Sequence, residues 1–303
     1  MRLILTILLI GLLKAEGQMV ISASQPYRPL LTGFLLDDYP NAAAAYSLRK
    51  LRTGYTGSAI RVRKDTTGQP EQDIGFTNSG DLDTAAIKTF LNARNGWVTV
   101  FYDQSGNSRN ATQTIQANQP QIAALGVINR MVGEPSILFN GSYHFVQSLI
   151  ATNPQQLAFS LVGRADGASQ VFWAHRDAAT NLIQVLSAGT GTNLQLDLRS
   201  STSARIQINN GITFTTPFYS FLQFDNVNFR HNLWVNNVAG TENNTNFGGN
   251  FNSTKETIAG TDAGTGVGSR LSGRISELII WQSDQTANRT GIQNNTNSYY
   301  GIY

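Results

Sequence analysis

The sequence contains no cysteine in its 303 residues, which excludes disulfide staples, thiolate nucleophiles and zinc knuckles. Its three histidines, His144, His175 and His231, lack metal-ligand spacing. Asp103, Ser105 and Asn107 alternate as calcium-loop ligands do, but the sixth position of such a loop, where glycine makes the turn, is Ser108. No metal or other cofactor is therefore expected. No nucleophile-elbow pattern occurs. Charge is scarce too: charged residues make up 14%, and 22 Lys and Arg against 19 Asp and Glu leave a net charge of +3. One basic cluster stands out, Arg49, Lys50, Arg52, Arg61, Arg63 and Lys64. It carries no stacking aromatics and no known motif, so a solvated or glycan-facing surface is expected there and nucleic acid is not expected as a partner.

What is abundant is Asn, Thr, Ser, Gln and Gly, a composition that suits a β-rich extracellular or virion protein with a neutral polar surface. The length allows one large core or two modest ones. A single long apolar run, Leu3–Leu13, follows Arg2 and precedes Ala15-Glu16-Gly17. Residues 1–17 read as a secretory signal; the alternative is an uncleaved apolar arm that docks on a neighbouring subunit. The run is short for a bilayer, and no membrane span is expected in the mature chain.

Gln18–Asp38 reads as an irregular lead-in with an edge strand. Tyr39-Pro40-Asn41, with Asp38 as cap, predicts a helix through Ala42–Leu51. Ser58–Lys64 alternates as a strand, Gln72–Phe76 is another, and Asp81 or Asp83 caps a second helix with an apolar face of Leu82, Ala86, Ile87, Phe90 and Leu91. Trp97–Tyr102 is apolar on both faces, predicting a doubly covered central strand that exits into the rigid turn Asp103–Asn107. After Pro120, strands recur at Ala158–Arg164, Gln170–Ala174, Leu182–Ser187, Leu194–Arg199, Arg205–Asn209, Phe218–Asp225 and Asn232–Val238. That spacing predicts a β-sandwich. Thr257–Gly260 and Arg274–Trp281 add strands, and Asp284 to Ser298 predicts a closing helix. Gln195 and Asp197 between Leu194, Leu196 and Leu198 give these strands one polar face. No linker rich in Pro or Ser separates the halves, so residues 18–303 are expected to form one composite domain.

Ala44-Ala45-Tyr46-Ser47-Leu48, Ser58-Ala59-Ile60-Arg61-Val62-Arg63, and Tyr102-Asp103-Gln104-Ser105-Gly106-Asn107 followed by Ala111-Thr112-Gln113 together resemble the catalytic domain of the alpha-L-arabinofuranosidase B family. This block, residues 18–119, also resembles regions of phage tail-fibre and other virion proteins. Residues 120–303 resemble a laminin-G or concanavalin-A-like lectin module, through Leu233-Trp234-Val235-Asn236-Asn237, Gly273-Arg274-Ile275-Ser276-Glu277-Leu278-Ile279-Ile280 and Tyr299-Tyr300-Gly301-Ile302. The resemblances imply an all-β fold with two or three short helices, a concanavalin-A-like jelly-roll β-sandwich.

A retaining glycosidase needs two carboxylates about 5 Å apart. The resembled family's nucleophile strand, Asp-x-Glu-Asn-Asn, is matched by Asp197-Leu198-Arg199-Ser200-Ser201, which places Arg199 at the nucleophile position. Its acid/base turn is similar to Gly260-Thr261-Asp262. A guanidinium cannot attack an anomeric carbon, so the expectation leans against catalysis. The expected function is a lectin-like surface module for adhesion or decoration on a phage virion or bacterial surface. Its partners would be glycans or surface polysaccharide, with homo-oligomer or virion neighbours. The carbohydrate-contacting candidates are Trp173, Asp197, Arg199 and Asp262, an aromatic face with planar polar groups. A purely structural virion or surface-layer subunit and an arabinofuranosidase-type hydrolase are the alternatives.

Overall fold

A computed structural model describes residues 33–178, 181–188, 193–261 and 270–303. The signal or arm at residues 1–17 and most of the expected lead-in strand lie outside the described residues. The chain runs through α1 (Leu35–Asp38), β1 (Ala42–Ser47), β2 (Ile60–Lys64), β3 (Glu71–Ile74), α2 (Thr84–Leu91), β4 (Gly96–Phe101) and β5 (Ala111–Thr112). Short strands follow: β6 (Gln121–Ala124), β7 (Val127–Ile128), β8 (Arg130–Met131), β9 (Glu134–Pro135), β10 (Ile137–Asn140) and β11 (Phe145–Gln147). Then come β12 (Gln156–Ala165), β13 (Gln170–Ala178), β14 (Asn181–Ala188), β15 (Asn193–Arg199), β16 (Ile206–Gly211), β17 (Phe218–Asp225) and β18 (Asn232–Val235). The last elements are β19 (Val238–Ala239), β20 (Glu256–Ile258), β21 (Ser272–Trp281) and α3 (Arg289–Tyr300).

The ladders are antiparallel and build two layers. In the first, β21 is central: β12 lies along one edge, β1 and β10 share the other, and β17, β18 and β19 continue beyond β12. The second runs β3-β2-β4-β5-β11-β20-β13-β14-β15-β16, with β6 on the same edge of β4 as β5. One residue pair, Leu138 with Gln121, links the layers at the side. Between them lies the main core, in which Phe159, Leu222 and Ile280 of the first layer meet Trp173, Ile183 and Leu196 of the second. The Phe159 and Trp173 rings sit 4.8 Å apart. The outer face of the first layer is covered by α1 and α3, where Leu35, Ile292 and Tyr300 pack on Ala45, Val162, Tyr219 and Trp281. The fold is thus the expected all-β sandwich with three short helices.

Most of the predicted strands form where alternation places them. Asn236 and Asn237 take φ of 45° and 67°, the positive values that a two-residue hairpin needs. Asp83 caps α2 by accepting the Ala86 N–H at 2.9 Å. Two expectations fail. Ala42–Ser47 is a strand, not the start of a helix through Leu51: all six residues are buried, and Ala42 to Ser47 pair with Trp281 to Glu277. A strand enclosed on both faces favours small side chains, and this packing overrides the helix preference of alanine. The helical turn comes earlier, at α1, where part of the edge strand was expected. In β4, Trp97 and Val100 are only half-buried, so this strand is covered on one face and not on both.

At the seam of β1, β21 and α3 sits a buried ion pair. Arg49 Nε and Nη2 donate to Glu277 Oε2 and Oε1 at 2.7 and 3.0 Å, Ser47 Oγ donates to Oε2 at 2.8 Å, and Arg49 Nη1 donates to Asn295 Oδ1 at 2.8 Å. Burial opposes the charge on Arg49, but the Glu277 carboxylate outweighs it and raises the guanidinium pKa above its ordinary value. Removing one partner strands the other charge. Glu277→Leu is therefore expected to cost about 3–5 kcal/mol in urea unfolding, and adding Arg49→Met to recover most of that loss.

Candidate functional site on the outward face of the second layer

Strand geometry sends alternate side chains to opposite faces, so the residues that do not enter the core of the second layer form its outward face. The three α-helices lie elsewhere: α2 sends Ile87 and Leu91 into the core, and α1 and α3 cover the first layer. Adjacent strands carry these residues in rows. One row runs Asp73, Arg61, Val100, Thr112, Val146, Thr257, Ala174, Gln184, Asp197 and Gln207 across ten strands. Gln195 and Asn209 are opposed in the next row, where the Gln195 amide donates to Asn209 Oδ1 at 2.7 Å.

Asp197 is the hub of one end. It is fully buried although it faces outward, because neighbouring polar side chains close over it. Arg205 Nε donates to Oδ1 at 2.8 Å, Arg205 Nη2 to Oδ2 at 2.5 Å, and Gln184 Nε2 to Oδ2 at 2.6 Å. The hydrogen bond to Asp197 raises the pKa of Arg205. Arg176 Nη1 reaches Gln184 Oε1 at 3.2 Å, while its Nε is buried without a hydrogen-bond partner. Burial lowers the Arg176 pKa, Asp197 works against that, and Arg205 adds to it. Both oxygens of Asp197 are engaged, Oδ1 by one donor and Oδ2 by two, so this carboxylate organises a bidentate guanidinium and an amide around itself.

Arg199 is half-exposed on the same face, opposite Leu182. Asp197 and Arg199 are therefore brought together. Trp173 is not with them. It is fully buried, 4.8 Å from Phe159 in the core, and donates through Nε1 to Gln147 Oε1 at 3.3 Å, so it presents no face to a sugar. Asp262 lies outside the described residues. Beneath the outward face, Gln147 also donates to Glu256 Oε2 at 2.8 Å, and His175 Nδ1 lies 3.1 Å from Glu256 Oε1. Burial pushes the Glu256 carboxyl up, opposed by the hydrogen bond with His175. This network is sealed and joins β11, β13 and β20 from within.

Sequence reasoning did not single out Trp97. It lies opposite Arg63 on the outward face and meets Tyr143 edge-on, ring centroids 5.6 Å apart, with both rings half-buried. Arg63 Nε donates to Gln119 Oε1 at 2.6 Å, and Nη1 to Gln69 Oε1 at 3.1 Å. An aromatic edge beside a guanidinium and amides is the side-chain set that packs sugar C–H faces and bonds hydroxyls. Arg176, Gln184 and Arg205 were also missed; only cross-strand register brings them to Asp197. Asp103, whose alternation with Ser105 and Asn107 suggested a metal loop, accepts from Ala45 N at 2.8 Å and Arg109 N at 2.9 Å, which spends its oxygens on the turn.

No protein-family model matches the sequence, and no curated protein matches it. Among solved structures, the fold is similar to a GH54 alpha-L-arabinofuranosidase soaked with a cyclic sulfate inhibitor, at 14% identity and a TM-score of 0.63. It is also similar to an arabinofuranosidase complexed with arabinofuranosyl-alpha-1,2-xylobiose, at 16% identity and a TM-score of 0.64. Each alignment covers 85% of this chain and 62% of the other, so the chain spans less than two thirds of the length of these enzymes. At such identity the likeness is one of fold, which hosts activities without implying any.

At the other end of the long row, Arg61 Nε and Nη2 donate to Asp73 at 2.8 Å each, and Tyr102 Oη donates to Asp73 Oδ1 at 2.7 Å. The Arg61 hydrogen bond, against the pull of burial, holds the Asp73 pKa below its ordinary value, while burial and Asp73 push the Tyr102 hydroxyl up to about 12. A depressed carboxylate adds stability above its unfolded pKa of about 3.9 and loses it as pH falls through the folded value. The stability difference between wild type and Asp73→Asn, measured by urea unfolding, is therefore expected to be constant from about pH 7 to 5 and to shrink below about pH 4.

Proposed function

We propose that this chain is a non-catalytic, lectin-like module, displayed outside the cell on a phage particle or bacterial surface, that contacts carbohydrate through the outward face of its second layer. The observation that carries this reading is the Asp197 cluster: a carboxylate held by Arg205 and Gln184, beside Arg176, with fixed planar donors raised on one sheet face. Such groups bond sugar hydroxyls at little further entropic cost because their rotamers are already tied. Trp97 and Tyr143 supply apolar surface on the same face. Arg199 and the Gly260-Thr261-Asp262 turn remain the proposed contacts from the sequence, the fully buried Asp197 acts by holding Arg205 and Gln184, and Trp97 takes the aromatic role first given to Trp173.

The fold likeness to arabinofuranosidases favours a second reading, a glycoside hydrolase. It requires a pair of working carboxylates, and the strand that resembles the nucleophile strand carries at that position Arg199, whose guanidinium cannot attack an anomeric carbon. Assay with aryl arabinofuranosides decides between them: wild type and Asp262→Asn are expected to be equally inactive, and turnover that Asp262→Asn abolishes establishes the hydrolase. A glycan array probes the lectin reading directly. Binding to at least one saccharide class is expected, with Trp97→Ala weakening it at least about fivefold, on the order of 1 kcal/mol. Silence across the whole array would leave a purely structural subunit as the better account.

A further inference from the structure

The basic cluster of the sequence disperses in the fold. Arg49 turns inward to Glu277 and Arg61 pairs with Asp73, while Lys50 borders a cavity of about 460 Å³ beyond the ends of β2 and β3. That volume falls within the about 300–1,000 Å³ of small-molecule sites. Three half-buried rings, Phe34, Tyr55 and Phe76, line it together with Lys50, Ser58 and Asn78, and no Asp or Glu does. Its walls are tied in place. The Lys50 N–H donates to the Gly80 carbonyl at 2.7 Å, and Tyr55 Oη donates to the Ser58 carbonyl at 2.8 Å. Asp37 accepts from the Thr53 N–H at 3.1 Å and from its hydroxyl at 2.6 Å, which pins the loop before β2 to α1. Tyr55 and Phe76 meet edge-on with centroids 6.3 Å apart, and the Lys50 ammonium lies 5.5 Å from the Phe34 ring centroid. Gly80 makes room for that ring: its φ is 87°, and a Cβ there would fall 2.8 Å from Phe34.

We infer that this cavity takes a sugar residue bearing a carboxylate, at the end or a branch of an acidic saccharide. The inference rests on the glycan reading above for the kind of ligand; it adds a second site besides the outward face, and a chemical class. Lys50 makes no ion pair among the described residues, and its contact with the Phe34 ring fixes the ammonium without neutralising it. With no acidic side chain in the lining, a carboxylate on the ligand is the group that completes the pair. The Ser58 hydroxyl and the Asn78 amide make no hydrogen bond among the described residues, which leaves them for ring hydroxyls. Phe34, Tyr55 and Phe76 supply aromatic surface for the C–H groups of the sugar. Because these rings and the loop are already held, little ordering remains to be done on binding.

The test titrates the whole chain with trigalacturonate, a glucuronate-containing tetrasaccharide, the methyl ester of trigalacturonate and acetate. One or both acidic saccharides are expected to bind, with the ester at least about tenfold weaker because its carboxyl no longer pairs with an ammonium. Lys50→Gln is expected to erase that preference for acid over ester. Asn78→Ala, an exposed change, is expected to weaken binding about threefold with the urea midpoint unchanged. Equal binding of acid and ester by wild type, displacement of the saccharide by acetate at equal concentration, or affinity unaltered in both variants would overturn the inference. So would binding that Trp97→Ala removes and both cavity variants leave intact, which puts the sugar on the outward face and spares the lectin reading. A glycan array positive for neutral saccharides, with neither acidic probe bound, defeats this inference alone; silence of the array and of both probes defeats the two together.

Discussion

The polar rows on the outward face depend on the apolar register beneath them. Leu194, Leu196 and Leu198 of β15 enter the core with Ile183 and Val185 of β14 and Ile208 of β16. A slip of one residue would turn every one of these to water and bury Gln195, Asp197 and Arg199 in their place. At about 25 cal/mol per Å² of apolar surface, exposing that many side chains costs far more than any contact on the polar face returns. Hydrophobic packing therefore aligns Arg176, Arg199 and Arg205 side by side, and no attraction among them is needed to hold the line.

The outer face of the first layer is arranged differently, as a second apolar cluster instead of open polar rows. There α1 and α3 lie over Tyr219 and Trp281, and the Arg49–Glu277 pair is sealed where strand meets helix. That buried pair and the one at Asp197 use the same bidentate geometry for different ends. Glu277 is closed off with its guanidinium, whereas Asp197 is buried under an Arg205 whose side chain stays 47% exposed, so of the two pairs the second is the one that meets solvent.

How far the sequence revealed this arrangement varied with the regularity of each strand. In β15 and β16, where apolar and polar residues alternate through Leu194–Leu198 and Ile206–Ile208, both the strands and their polar face, with Asp197 and Arg199, were legible. Bulges hid the rest. In β13 the register shifts between Val171 and Trp173, so Phe172 and Trp173 both enter the core although they are neighbours in sequence. In β2 and β4 a shift between Arg61 and Val62 leaves Val98 and Phe101 in the core and turns Trp97 outward. The two tryptophans thus exchange the roles that their sequence surroundings suggest: an extra residue in a strand breaks the period of two that such reasoning relies on. Ala42–Ser47 failed for another reason, since its strand partner lies about 230 residues away and local propensity carries no trace of it.

That separation bears on how the chain comes to be made. β21 lies between β1 and β10 on one side and β12 on the other, yet it leaves the ribosome after every other strand described. Until it emerges, the edges of β1, β10 and β12 that it will occupy are unpaired, and such edges are templates for pairing with other chains. Closing contacts over so long a stretch of chain is slow, and partly folded species of this kind are prone to aggregate. Nascent chains stalled before Ser272 are thus a molecule with its keystone missing, with the edges of β1, β10 and β12 open to pairing with other chains.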